Sequence, residues 1–264
     1  MTAEYAVVGG RGKTGRAVIE SIRERGGSAR PVGRAELRDP EAAFRGADAV
    51  YLMAPNMHPD EPALVRELLA AARAVGVRRV VHHSVAAPYE PRMPHHLGKA
   101  EAERCVRAGD LEWVILQPCA YVQNFVPQLR GDAPELVVAY DPDRPFGLVD
   151  LADVGEAAAR ALAGDVPGGT TLELGGPAAV SVRDVARAAS AVLGRPVGVR
   201  HTTASAWSAG PGAALDPRER DWLLAMFAYY DAHGLPCGPL GSAAVLGRPP
   251  RGLPEVLQRE LRPA

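Results

Sequence analysis

The sequence predicts an α/β fold, a doubly wound parallel sheet with a smaller C-terminal portion that covers its open edge. Three observations carry that prediction. Short apolar runs alternate with helical patterns over the first 118 or so residues. A glycine-rich turn directly follows the first run, and after Pro118 the alternation loosens. The expected division is 1–118 plus about 148–176 for a nucleotide-binding core, and about 119–147 plus 177–264 for a substrate-binding portion.

The first run, Tyr5 to Val8, reads as a strand ending in Gly9-Gly10-Arg11-Gly12-Lys13-Thr14-Gly15. Ala17, Val18, Ser21 and Ile22 then share a helix face. Ala29 to Gly33 is a weaker strand, because Pro31 removes a ladder donor. Ala47 to Met53 is the third strand, ending at Ala54-Pro55, and a helix from about Glu61 to Val75 is closed by Gly76. Val77 to His83 gives a fourth strand, Lys99 to Arg107 a helix, and Leu111 to Leu116 a fifth strand ended by Gln117-Pro118. Leu136 to Tyr140 reads as a short strand, Asp150 to Leu162 as a helix and Thr170 to Leu174 as a strand. Ser181 caps a helix to Leu193, with Asp184 three residues on completing a variant capping box. Val197 to His201 is a further strand, and Glu219 to Ala232 a helix rich in large apolar side chains.

The glycines at 9, 12 and 15 follow a strand and open a helix, the context a dinucleotide fingerprint requires. Residues without a Cβ let the backbone approach a pyrophosphate, and the helix N-terminus binds the anion. Val7 stands where a Walker A motif would need its first glycine. At the end of the second strand, an acidic residue would favour NAD. Here Arg34 stands there, and Arg11 and Lys13 lie in the loop, so three cations are expected around a 2′-phosphate and the cofactor is read as NADP(H) over NAD(H). Of the 30 basic residues 28 are Arg; the two that remain Lys are Lys13 and Lys99. A position that keeps Lys in such a chain calls for a compact ammonium.

Strand C-termini bind ligands in open α/β sheets. After the fourth strand stand His82-His83-Ser84, and further on His95 and Lys99 share a helix face at i, i+4. Four of the seven histidines fall between 82 and 96. Neighbouring carboxylates and thiolates are missing, and His82 and His83 face opposite ways on a strand, so no metal is expected.

Composition narrows the function. Hydrophobic residues are 47% and the net charge is -1, which excludes a disordered chain and a basic nucleic-acid binder. The apolar stretch from Trp113 to Leu129 is broken by Pro118, Pro127, Gln117, Gln123 and Asn124, so no membrane association is read. No signal peptide is apparent, and three sparse cysteines suit a reducing cytoplasm. The expected partner is a small-molecule substrate, and nothing in the pattern sets an oligomeric state.

The blocks GGRGKTG, HHSVAAP, HHLGKAEAERCVRAGDLEWVILQPCAYVQNF, GLVDLADVGEAAARAL and LGRPPRGLPEVLQRE span nearly the whole chain. In this order they resemble the short-chain dehydrogenase/reductase superfamily, and within it the atypical NmrA-like group. The resemblance implies a Rossmann domain that binds NAD(P). Cofactor contacts are then expected from Gly9, Arg11, Gly12, Lys13, Thr14, Gly15, Arg34, Ala54, Pro55, Lys99, Gln117, Pro118 and Cys119. Typical members use a Ser, and a Tyr and a Lys spaced Y-x-x-x-K. Ser84 fits the Ser and Lys99 the Lys, but His95 occupies the Tyr position. His95 is therefore expected to be the proton donor, with Ser84 beside it and a pKa of ~6.5 or lower. His83, Tyr121 and Asn124 are expected in the substrate cleft. The departure at the Tyr position counts against ordinary alcohol/ketone chemistry and leaves open hydride transfer to a quinone, an activated alkene or an iminium. The expected reaction is hydride transfer to a quinone, carbonyl or imine, with secondary metabolism as its expected setting. The group also contains NADP-binding regulators without activity, and the superfamily contains non-redox isomerases and lyases.

Overall fold

The computed structural model describes residues 3–261. The first half runs β1 (Glu4–Val8), α1 (Lys13–Glu24), β2 (Ser28–Val32), α2 (Pro40–Phe44), β3 (Ala49–Leu52), α3 (Glu61–Ala74), β4 (Arg79–His83), α4 (Pro94–Arg107) and β5 (Glu112–Pro118). The second half runs α5 (Val126–Leu129), β6 (Glu135–Val138), α6 (Leu151–Ala163), β7 (Thr170–Leu174), α7 (Val182–Leu193), β8 (Gly198–His201), α8 (Ala204–Ala209), α9 (Pro217–His233), α10 (Leu240–Leu246) and α11 (Leu253–Leu261). Among the described residues, no helix is long and apolar enough to cross a membrane.

Six parallel strands form the main sheet in the order β2-β1-β3-β4-β5-β7. Each connection returns through a helix, as parallel strands require. The order reverses between β1 and β3. A crevice therefore opens beyond their C-terminal ends, where the glycine turn and Ala54-Pro55 lie. Alternate residues of each strand feed two apolar layers. Val7, Tyr51, Val81 and Val114 pack with α1 and α6 through Val18, Ile22, Val154 and Ala158. Ala6, Val50, Val80 and Ile115 pack with α3 and α4 through Val65, Leu68, Ala102 and Val106. Each large aliphatic side chain so buried contributes ~1.5–3 kcal/mol.

β6 and β8 pair only with each other, in a separate two-stranded sheet. Around it a third apolar cluster joins Tyr140 and Phe146 to Val182 and Val185 of α7, Tyr230 of α9 and Val256 and Leu257 of α11. Ionic contacts fasten this portion to the start of α6. Asp150 caps α6 by accepting from Ala152 N at 3.2 Å and holds Arg259 of α11 through two hydrogen bonds of 2.7 and 2.9 Å. Asp153 accepts from Arg248 at 2.8 Å and from the Arg251 backbone at 2.7 Å. Both carboxylates are buried and each has two arginine partners, so removing both arginines from one carboxylate strands a charge at ~3–5 kcal/mol.

Several elements differ from the sequence reading. Pro31 sits within β2 without disruption, because β2 is an edge strand and needs only one ladder. α4 starts at Pro94, earlier than the expected Lys99, because a proline at the first helical position is preset for the helix. His95 and His96 thus lie in its first turn. α9 begins at Pro217 for the same reason, with Asp216 as its cap. The short helices α2, α8, α10 and α11 lack a long periodic stretch and were not foreseen.

Candidate active site

A cavity of about 1060 Å³ begins at the glycine turn, passes the ends of β3, β4 and β5, and ends among apolar side chains of the C-terminal portion. At its mouth, Gly9 has φ +73, which only glycine adopts readily, and Gly15 packs so closely that an added Cβ would lie 2.3 Å from Gly9 O. Gly12 is different. A Cβ there would meet only Gly9 O, at 3.4 Å, so packing does not demand glycine; the space it leaves belongs to the cavity. Gly12 is also the N-cap of α1, and no side chain caps that end. The first-turn amides face the cavity mouth with the helix dipole behind them, a geometry that fits a pyrophosphate.

The three expected cations all line the cavity, but two of them are engaged by other side chains. Arg11 makes a bidentate ion pair with Glu36, at 2.7 Å for each bond, and Glu36 also accepts from Gly33 N at 2.8 Å. The guanidinium and that amide hold the Glu36 carboxyl at about 2. Lys13 turns the other way, donating to Asn124 Oδ1 at 2.7 Å and lying 5.6 Å from the centre of the Tyr121 ring. Burial lowers its pKa. Arg34, exposed on the cavity rim at the end of β2, has no ion-pair partner among the described residues. The reading of three cations at one ribose is corrected accordingly: carboxylate and amide partners claim two of them.

The Ser84–His95–Lys99 constellation is also rearranged. Ser84 Oγ donates to buried Glu103, which accepts from Gln117 Nε2 at 2.7 Å and Arg107 Nη1 at 2.8 Å as well. The hydroxyl is spent on this network and not on His95. Gln117 and Gly15 do not line the cavity, whereas Ala54, Pro55, Pro118 and Cys119 do. Lys99 lines it too; its Nζ donates to both Glu61 oxygens, at 3.0 and 3.1 Å, and lies 3.5 Å from His83 O. Both partners of this ion pair are buried. His95 lies beside Trp222 of α9, ring centres 6.3 Å apart, and lines the cavity. Burial first, then the Lys99 charge, lowers its pKa to about 3. At neutral pH it is an uncharged imidazole, so the expected imidazolium acid is not present.

His83 stands between two phenols. Tyr51 O–H meets its Nδ1, and Tyr121 Oη lies 2.9 Å from its Nε2. Burial, then Lys99, lowers His83 to about 3. Tyr121 and Asn124 line the cavity as expected. Sequence reasoning missed Tyr51, Glu61 and Glu103. Tyr51 was legible in principle: it pairs with Val81 on β4, which puts it diagonal to His83 on the same face.

Beyond β5 the cavity is walled by Tyr140, Phe146, Trp207, Phe227 and Tyr230. Their rings pack edge-on or tilted at 4.9–6.0 Å.

The sequence model of the NmrA-like family matches residues 34–235. The chain belongs to the NmrA-like family. A (4-alkanoyl-5-oxo-2,5-dihydrofuran-3-yl)methyl phosphate reductase of Streptomyces griseus is 34% identical over 162 residues, 60% of this chain and 56% of that protein. The chain thus aligns with a little over half of that relative's length. An NAD(P)H azoreductase of Xenophilus azovorans is 29% identical over 215 residues, 72% of this chain and 74% of that protein. In fold, this NmrA-like chain is similar to an NADPH-dependent quinone oxidoreductase of Escherichia coli, solved with NADPH. The TM-score is 0.82 at 18% identity, covering 98% of this chain and 100% of the other.

Proposed function

We propose that this NmrA-like protein is an NADPH-dependent oxidoreductase that reduces a small, largely apolar organic acceptor, a quinone, carbonyl or imine. One observation carries the reading. A single cavity joins a phosphate-binding helix N-terminus to an aromatic chamber, with strand ends between them. Relatives named as reductases, and an NADPH complex of the same fold, support it. We take 1–118 plus about 148–176 as the nucleotide-binding core and the rest as the covering portion, although Val245 and Leu246 of α10 pack into the core with α6.

When bound, the reduced nicotinamide supplies the hydride. The chain's own residues supply the rest. Lys13 and Thr14 would offer first-turn backbone amides to the pyrophosphate, while the Gly12 amide stays on Gly9 O at 2.9 Å. Arg34, without an ion-pair partner among the described residues, would hold the 2′-phosphate. Lys99, held by Glu61 near the end of β4, presents its ammonium to the cavity, where it would hold a cofactor hydroxyl. The aromatic chamber excludes water from the acceptor and gives it ring faces to lie on.

NADPH consumption against a panel of quinones, aryl aldehydes and imines, run beside a binding titration, tests the reading. Turnover with at least one acceptor is expected. Tight NADPH binding with no turnover would make the protein a cofactor-sensing regulator instead.

A further inference from the structure

We propose that Tyr121 is the proton donor of this site, its phenol directed into the cavity by a His83 that Tyr51 locks as the Nε2–H tautomer. The inference rests on the oxidoreductase reading and adds to it the acid that His95 does not provide.

The argument is an inventory of protons. Three groups stand in a row: Tyr51 Oη, the His83 ring and Tyr121 Oη. Tyr51 is fully buried, and among the described residues its hydroxyl has one hydrogen-bond partner, His83 Nδ1. A neutral imidazole has one N–H and one lone pair. If Nδ1 carried the proton, it would donate to Tyr51, and the Tyr51 hydroxyl proton would be buried without an acceptor. If Nδ1 is the acceptor, Tyr51 is satisfied, Nε2 carries the proton, and Nε2–H donates to Tyr121 Oη. A buried donor is costly to leave unpaired, so the second arrangement holds. The Tyr121 hydroxyl proton then points away from His83, and Tyr121 lines the cavity.

The surroundings suit that role. Burial keeps His83 neutral and raises the Tyr121 pKa, so the phenol keeps its proton through the neutral range. When the proton leaves, the phenolate is faced by the Nε2–H of His83 at 2.9 Å and the Thr14 side chain, with the Lys13 ammonium near the ring. Lys13 itself is fixed by Asn124. This gives Lys13 a reason to be an ammonium that phosphate binding alone does not supply.

On a carbonyl acceptor the step balances as follows. Hydride brings its electron pair from the reduced nicotinamide and forms the new C–H bond. The carbonyl π pair moves to oxygen, and that oxygen takes the Tyr121 proton. The former O–H pair stays on Tyr121 as a phenolate held by His83, and solvent returns a proton through the open cavity. Tyr121 is the catalytic residue; His83 and Tyr51 are positioning residues.

The test uses Tyr121→Phe and Tyr51→Phe in the full chain, with thermal melting and NADPH dissociation constants as controls for folding. Tyr121→Phe should bind NADPH within twofold of wild type. It should lose ~10²–10⁴ in kcat on an aryl aldehyde, and about tenfold on a benzoquinone, whose reduced oxygen is less basic. Independently of turnover, 15N NMR of histidine-labelled wild type should show His83 as Nε2–H, and Tyr51→Phe should shift it toward a mixture of tautomers. A His83 found as Nδ1–H overturns the proposal. So does a Tyr121→Phe protein that keeps full kcat on every acceptor wild type reduces, and in that case the oxidoreductase reading stands. A wild type that binds NADPH but reduces nothing overturns both.

Discussion

Lowering the pH from 7 to 5 removes a large part of this protein's stability. His82, His83, His95 and His96 are all buried. Burial holds His83 and His95 at about 3 and His96 at about 4, and puts His82 well below the usual imidazole range. Both His82 nitrogens lack a hydrogen-bond partner. In the unfolded chain each imidazole titrates near ~6.5. Below that pH the unfolded chain takes up protons that the folded chain refuses. Stability therefore falls as the pH drops from ~6.5 toward the folded values. Between pH 7 and 5 each such imidazole removes ~1.9 kcal/mol; His83, His95 and His96 together remove on the order of 5 kcal/mol, and His82 adds to it. That compares with ~5–15 kcal/mol for a whole domain. The salt-bridged carboxylates Glu36 and Asp150 are held below their usual range, so their contribution is lost only below about pH 4. The interval between 6.5 and 5 isolates the histidines. Urea unfolding at pH 7, 6 and 5 measures the effect, and its slope at pH 5 should correspond to uptake of three to four protons. His82→Leu should lower that uptake by about one. Stability that changes by less than ~1 kcal/mol from pH 7 to 5 refutes the reasoning.

Gly12→Val should leave the melting temperature nearly unchanged, since its nearest neighbour is Gly9 O at 3.4 Å, yet raise the NADPH dissociation constant beyond detection. Titration with both cofactors should show Arg34→Ala weakening NADPH by about tenfold while NADH changes little; one charge-assisted contact of ~1.4 kcal/mol sets that factor. In the same assay Glu36→Gln frees Arg11 and should increase the preference for NADPH. Lys99→Met should cost ~3–5 kcal/mol in urea unfolding by stranding the buried Glu61 carboxylate, and adding Glu61→Gln should restore most of it.

What was legible in the sequence was local. The glycine turn, the capping box at Ser181 and Asp184, and the apolar face of α1 depend on residues within one turn of each other, so spacing reveals them. The pairings that rearranged the site are not local. Arg11, in the turn after β1, meets Glu36, which follows β2, and Lys99 of α4 meets Glu61 at the start of the neighbouring α3. His95 looks like a solvent-facing histidine in its own segment. It is buried because Trp222 lies beside it, and no pattern near residue 95 announces α9. The residues named for the cofactor mouth and the cleft reached the same cavity, apart from Gly15 and Gln117, because strand ends dictate position even where side-chain partners are unforeseen.

The clasp between Asp150, Asp153 and the arginines of the C-terminal portion has a consequence for synthesis on the ribosome. Five strands of the main sheet are translated in an order that lets each find its neighbour, and β7 completes the edge by residue 174. The chamber cannot close then, because Arg248, Arg251 and Arg259 do not yet exist. At ~5–20 residues per second, α11 emerges roughly 4–17 s later. For that interval the nascent protein carries a finished cofactor mouth above an open apolar trough, with two bare aspartates at the base of α6. A nascent chain arrested before residue 248 has α9 to pack on Tyr140 and Phe146 but lacks Val256 and Leu257 of α11, so Val182 and Val185 of α7 would stand uncovered until translation supplies that helix.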